Sequence, residues 1–192
     1  MKSYPFSDKN CEAPCRRWLA VDIGDVRTGV AVSDANAVLA TPVGTLIART
    51  HELLAAELES FLERYIVSNL DIPQISKLNG ESPLLKRREH DEGKISLSDI
   101  FAGLVVGLPL DQYGRESERS AKVRKWGEYL AKALRMHVKF VDERYTTRRM
   151  IAADKAVGRR TADGRMNIDA RAAAEILQTH LDTLKAAGDF TE

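Results

Sequence analysis

Apolar positions along the chain fall into short runs and helical stripes. Residues 18–23 (WLAVDI) form a run that holds a single acid and stops at Gly24, and residues 29–33 (GVAVS) form a second run. The connecting GDVRT is tight, so the two runs read as a β-hairpin. Residues 38–47 (VLATPVGTLI) suggest a third strand, which Pro42 confines to a sheet edge or splits. The period then changes. Leu54, Leu58, Phe61, Leu62 and Tyr65 recur at helical spacing, which predicts an amphipathic helix over 51–67.

The pattern dissolves over 71–100, which contains Pro73, Gly80, Pro83, Gly93 and a charged run from Lys86 to Glu92. A stretch this long without periodicity is unusual inside a compact domain. It reads as a largely mobile surface insertion, with a binding loop as the other reading. Order returns at 102–108 (AGLVVGL), a buried-looking strand closed by Pro109. A helix is predicted over 116–135, with Val123, Trp126, Leu130 and Leu134 on one stripe, and a further strand over 137–142 (HVKFVD). Residues 147–157 suggest a short helix and 158–167 (GRRTADGRMN) a basic, glycine-bearing loop. A last helix over 169–187 aligns Ala172, Ala173, Ile176, Leu177, His180, Leu181 and Leu184. An antiparallel start followed by strand–helix alternation predicts an α/β fold, a mixed sheet with helices packed on it. Residues 1–17 and 188–192 read as tails around one domain at 18–187.

Composition adds little to this picture until charge is located. The chain has 192 residues, 44% of them hydrophobic, and a formal net charge of +1, which is silent about partners. Residues 111–165 hold fifteen Lys/Arg against eight Asp/Glu, so the rest of the chain is net acidic. A local basic excess suits a polyanion, and solvated helix faces also produce one. The two cysteines, Cys11 and Cys15, lack the further ligands of a zinc site, and a reducing compartment is the default. No stretch reaches the length of a membrane span. The expectation is a cytoplasmic protein with no membrane partner, an organellar address being left open.

Three acids stand in unusual places. Asp22 lies near the end of an apolar strand, where an unpaired buried carboxylate is costly. It is either a cap for the Gly24 turn or a functional group. Asp142 and Glu143 end the strand HVKFVD, and adjacent strand residues point to opposite faces. Asp169 begins the predicted last helix as an N-cap candidate. It lies three and four residues before Ala172 and Ala173, on the inward face, and those small residues allow a close approach to the sheet. Carboxylates that converge repel one another, and a divalent cation with oxygen preference, Mg²⁺ or Mn²⁺, would make the arrangement favourable. Two such ions activate water and stabilise a leaving oxygen in phosphodiester hydrolysis. The four scattered histidines disfavour a zinc site.

The segments LAVDIGDVRTGVAVSD (19–34), VVGLPLDQYGRESERSA (105–121), VDERYTT (141–147) and IDARAAAEILQTHL (168–181) together resemble the YqgF/RuvX family, in the family's order. The resemblance implies an RNase H-like fold with a five-stranded mixed sheet, related to Holliday-junction resolvases. It also implies a nuclease activity in 5′-end maturation of pre-16S ribosomal RNA, using one or two Mg²⁺ or Mn²⁺ ions. The family's acidic site maps onto Asp22, Glu143 and Asp169 as metal ligands, with Asp142 the alternative ligand. Arg27 and Arg144 are implied phosphate contacts, and Arg148, Arg149, Arg159, Arg160 and Arg165 would extend the track or serve as solubilising surface. Gly24, Gly29, Gly107 and Gly114 fit structural turn positions. Asp25 stands where the family has a small or hydroxyl residue, and the 71–100 insertion is longer than the family's link. These departures leave the substrate open between precursor rRNA and branched DNA. A non-catalytic nucleic-acid-binding module and an actin-like ATPase, suggested by the D-I-G-x-x-x-x-G phosphate loop, are the competing classes.

Overall fold

The computed structural model describes residues 17–70, 96–145 and 164–187. Cys11, Cys15, most of the expected insertion, the predicted 147–157 helix, and Arg148, Arg149, Arg159 and Arg160 lie outside the described residues, as does the side chain of Arg165.

Strands β1 (Arg17–Ile23) and β2 (Arg27–Ser33) form the expected antiparallel hairpin, closed by a hydrogen bond from the Gly24 amide to the Arg27 carbonyl at 2.9 Å. Strand β3 (Ala40–Ile47) pairs antiparallel with β2 and is a sheet edge, as Pro42 predicts. Its register shifts between Val30 and Ala31, which face Gly44 and Pro42. Helix α1 (His51–Asn69) starts at Thr50, whose side chain accepts a hydrogen bond from the Leu53 amide. Its stripe of Leu54, Leu58, Leu62 and Ile66 is fully buried.

A four-residue helix, α2 (Leu97–Ile100), then leads into β4 (Phe101–Leu108). Residues 96–100, read as the end of the 71–100 insertion, belong to the fold instead: Asp99 accepts from the Ser96 amide at 2.7 Å, and Leu97 and Ile100 enter the core. Helix α3 (Glu118–Leu134) and strand β5 (Val138–Asp142) follow, then a single 3₁₀ turn over Glu143–Tyr145. The final helix, α4, spans Gly164–Ala187. It starts five residues before Asp169, inside the stretch expected to be loop, so Asp169 is an interior helical residue and not an N-cap.

The sheet order is β3-β2-β1-β4-β5, with β1, β4 and β5 parallel. This is the five-stranded mixed sheet that the family resemblance implies. Alternation divides the sheet's residues between two faces. Leu19, Val21, Val30, Val32, Leu104 and Val106 pack with α1 and α3. Ala20, Ala31 and Val105 pack with Ala173, Ile176, Leu177 and Leu181 of α4. Each fully buried Leu or Ile contributes about 1.5–3 kcal/mol through apolar burial. The α4 face is lined by smaller residues, so this helix lies close to the sheet. Gln178 fixes it to the edge: its amide oxygen accepts from the Ala40 amide and its amide nitrogen donates to the Val38 carbonyl, both at 3.0 Å.

Candidate active site

Asp22, paired with Gly29 across the hairpin, shares the parity of Ala20 and therefore the α4 face. A Cβ built on Gly29 would overlap the carbonyl oxygen of Asp169 and stand 2.9 Å from the Ala170 nitrogen. Gly29 is thus not a turn residue. It is the mid-strand gap through which the α4 backbone touches the sheet, and it holds Asp169 beside Asp22. Ala170 and Ala173 are the small residues of that contact, both fully buried, whereas Ala172 is only half-buried.

Glu143 follows the end of β5. A Cβ on Gly107 of the neighbouring β4 would overlap Glu143 Oε1 and stand 2.5 Å from Ile176 Cδ1. Glu143 therefore folds over Gly107 onto the α4 face, because glycine leaves that space open. Asp142 points the other way. Its carboxylate is gripped by Arg144, with Nε at 3.0 and 2.8 Å from its two oxygens and Nη2 at 2.6 Å. The Arg144 guanidinium holds Asp142 below the usual carboxylate range. It also braces the β4–α3 loop, lying against Gly114, whose φ of +80° suits glycine. The alternative ligand and one expected phosphate contact are thus joined to each other.

Electrostatics bind the three site acids into a chain of repulsions. Burial, then the Asp169 charge, pushes the Asp22 carboxyl up to about 6, with Arg119 acting in the opposite direction. Burial, then the Asp22 charge, pushes Glu143 up to about 7, again opposed by Arg119. Asp169 meets Arg27 at the start of β2, Nε to Oδ2 at 2.7 Å. That oxygen is buried and, among the described residues, receives no hydrogen bond of proper geometry, so the contact is chiefly a charge contact. The extra acid Asp25 is neutralised by Lys122 of α3 at 3.0 Å, which lowers its pKa.

The donor set is all oxygen and negatively charged, which fits a hard divalent cation. Among the described residues, however, no three carboxylate, imidazole or thiol groups are gathered closely enough to enclose one as they stand. Asp169 is turned to Arg27 instead. Arg119 lies within the family-like segment 105–121 but was not singled out by it: it is on α3, about a hundred residues from Asp22, and nothing local ties it to that acid.

The profile described as "RuvX: Holliday junction resolvase" matches residues 16–81 and 93–183. Among curated relatives provisionally named pre-16S rRNA nuclease, the protein of Nocardioides sp. is 34% identical, covering 88% of this chain and 90% of its own. That of Streptomyces coelicolor is 32% identical over 90% and 83%, and that of Rickettsia felis 29% identical over 87% and 86%. The solved structure of T. thermophilus RuvC in complex with a Holliday junction substrate is similar at 11% identity and a TM-score of 0.42, covering 90% of this chain and 96% of that one. Among the described residues no helix is long and apolar enough to cross a membrane.

Proposed function

The chain belongs to the RuvX family, and on that premise we propose that it is a cytoplasmic nuclease that hydrolyses phosphodiester bonds of structured RNA at the 5′ end of pre-16S rRNA. The observation that carries this reading is the placing of Asp22, Glu143 and Asp169 on one face at the strand ends, two of them with pKa values raised by burial and mutual repulsion. Such a cluster is unfavourable for folding alone and favourable for holding cationic charge.

Asp22, Glu143 and Asp169 are the residues that would hold Mg²⁺ or Mn²⁺, which when bound supplies an activated water and neutralises the leaving oxygen. Arg27 offsets the Asp169 charge and, at the start of β2 beside the acids, is positioned to contact a phosphate oxygen. Asp142 and Arg144 keep the exit of β5 in position, so Glu143 presents its carboxylate toward Asp22. The basic residues Arg148, Arg149, Arg159 and Arg160 would extend contact along the substrate backbone.

Cleavage assays on precursor rRNA and on four-way DNA junctions, each with Mg²⁺ or Mn²⁺, test the reading and separate the two substrates. Asp22→Asn is expected to abolish cleavage while RNA binding persists or tightens. Folded, metal-bound protein that cuts neither substrate would sink the enzyme reading.

A further inference from the structure

Arg119 occupies the first turn of α3, two residues after the capping Ser117. Two contacts fix that turn above the strand ends. The fully buried Ser120 donates its hydroxyl to the carbonyl of Pro109, the residue after β4, and Lys122 donates to Asp25 in the β1–β2 connection at 3.0 Å. Arg119 precedes both anchor residues on the same helical turn. It is therefore held at the end of the sheet where Asp22 and Glu143 emerge.

The pairing of the local cations sets it apart. Arg27 is in contact with Asp169, Lys122 with Asp25 and Arg144 with Asp142. Arg119 is exposed and faces Asp22, Asp25 and Glu143 closely enough for its charge to act on all three. Among the described residues it forms no hydrogen bond or ion pair with any of them. Its charge thus reaches an acidic site without being consumed by a pairing there. The positive end of the 17-residue α3 helix adds to the same field.

We propose that Arg119 contacts the substrate, gripping a non-bridging oxygen of the phosphodiester that lies between Asp22 and Glu143. This rests on the nuclease reading above. In the hydrolysis a water oxygen bonds to phosphorus and the P–O ester bond breaks. One water proton passes to the leaving oxygen and the other to solvent. Arg119 exchanges no proton. It offsets the negative charge that two carboxylates and a phosphate bring together, and so acts most strongly when charge builds up on the phosphoryl oxygens.

Arg119→Ala and Arg119→Lys test this with two readouts. The probes are a fluorescein-labelled RNA duplex carrying a 5′ single-stranded extension and a labelled four-way DNA junction. Binding is followed by anisotropy against salt in Ca²⁺, and cleavage in Mg²⁺ or Mn²⁺. Arg119→Ala is expected to lower the slope of log affinity against log salt by about 1, as loss of one phosphate contact does. It is also expected to cut kcat by about 100-fold, with Lys recovering the slope but only part of the rate. Its thermal melt at about pH 4, where Asp22 and Glu143 are protonated, should match wild type, since Arg119 is exposed and has no hydrogen bond or ion pair among the described residues. An unchanged slope together with an unchanged kcat overturns the proposal. A lowered slope in a protein whose wild type cuts neither probe upholds the phosphate contact and refutes the nuclease reading instead.

Discussion

Gly29→Ala is the substitution that bears most directly on how the site is built. The new Cβ would stand about 1.2 Å inside the 3.0 Å that Cβ atoms keep from their neighbours, and the atom it meets is the backbone oxygen of Asp169. No rotamer change relieves a backbone clash, so α4 must withdraw by roughly that distance. The withdrawal loosens Ala170, Ala173, Ile176 and Leu177 from the sheet, at a cost near the upper end of the ~1–3 kcal/mol range for overpacked cores. For a chain of this length that lowers Tm by about 6–12 °C. Asp169 travels with the helix, and a displacement of about 1 Å from the reacting geometry costs about 100-fold in rate. Differential scanning calorimetry and single-turnover cleavage measure the two effects. A variant that melts within about 1 °C of wild type and cuts at the wild-type rate would refute the close seating of α4 on β2.

Gly107→Ala should behave differently, because its Cβ meets the movable ends of Glu143 and Ile176. Stability is expected to fall by no more than about 1 kcal/mol while cleavage falls at least ~10-fold, and a large loss of Tm with full activity would contradict this. The raised values of Asp22, about 6, and Glu143, about 7, mean that the folded state binds protons more tightly than the unfolded one between about pH 4 and pH 7. Their contribution to stability is greatest below about pH 4 and is lost as pH rises through 6 and 7. Asp22→Asn should therefore raise Tm at pH 8 and leave it nearly unchanged at pH 4, and a lower Tm at pH 8 would count against the buried-charge account. Arg27→Ala leaves Asp169 uncompensated and should tighten Mn²⁺ binding about 5-fold, read by the electron paramagnetic resonance signal of free Mn²⁺. Unchanged affinity would show that the pair does not compete with the cation.

The sheet was readable in the sequence because its signals are local. The hairpin follows from two apolar runs and a short polar link, and the edge position of β3 follows from Pro42. Asp22 and Glu143 stood out as charges at the ends of such runs. What escaped depends on contacts between distant segments. The start of α4 was hidden because Gly164 and its neighbours have loop-like composition, and the helix they open is stabilised by its seat on the sheet. Gly29 looked like a turn residue, and only the packed helix reveals that its missing side chain is the essential property. The α2 turn did carry a local sign, Ser96 followed three residues later by Asp99, but it was masked by the surrounding charge.

The edge strand also bears on the chain's behaviour in company. An open β-edge is a template on which another extended segment can add, and long regular edges lead to aggregation. Here the ladder is interrupted by the register shift opposite Val30 and Ala31, and Pro42 offers no amide donor at an exposed position. The side of the sheet that lies beyond β3 is thereby made a poor partner for self-assembly. A molecule whose acidic site lies at the strand ends thereby keeps this margin of its sheet from growing into a fibril.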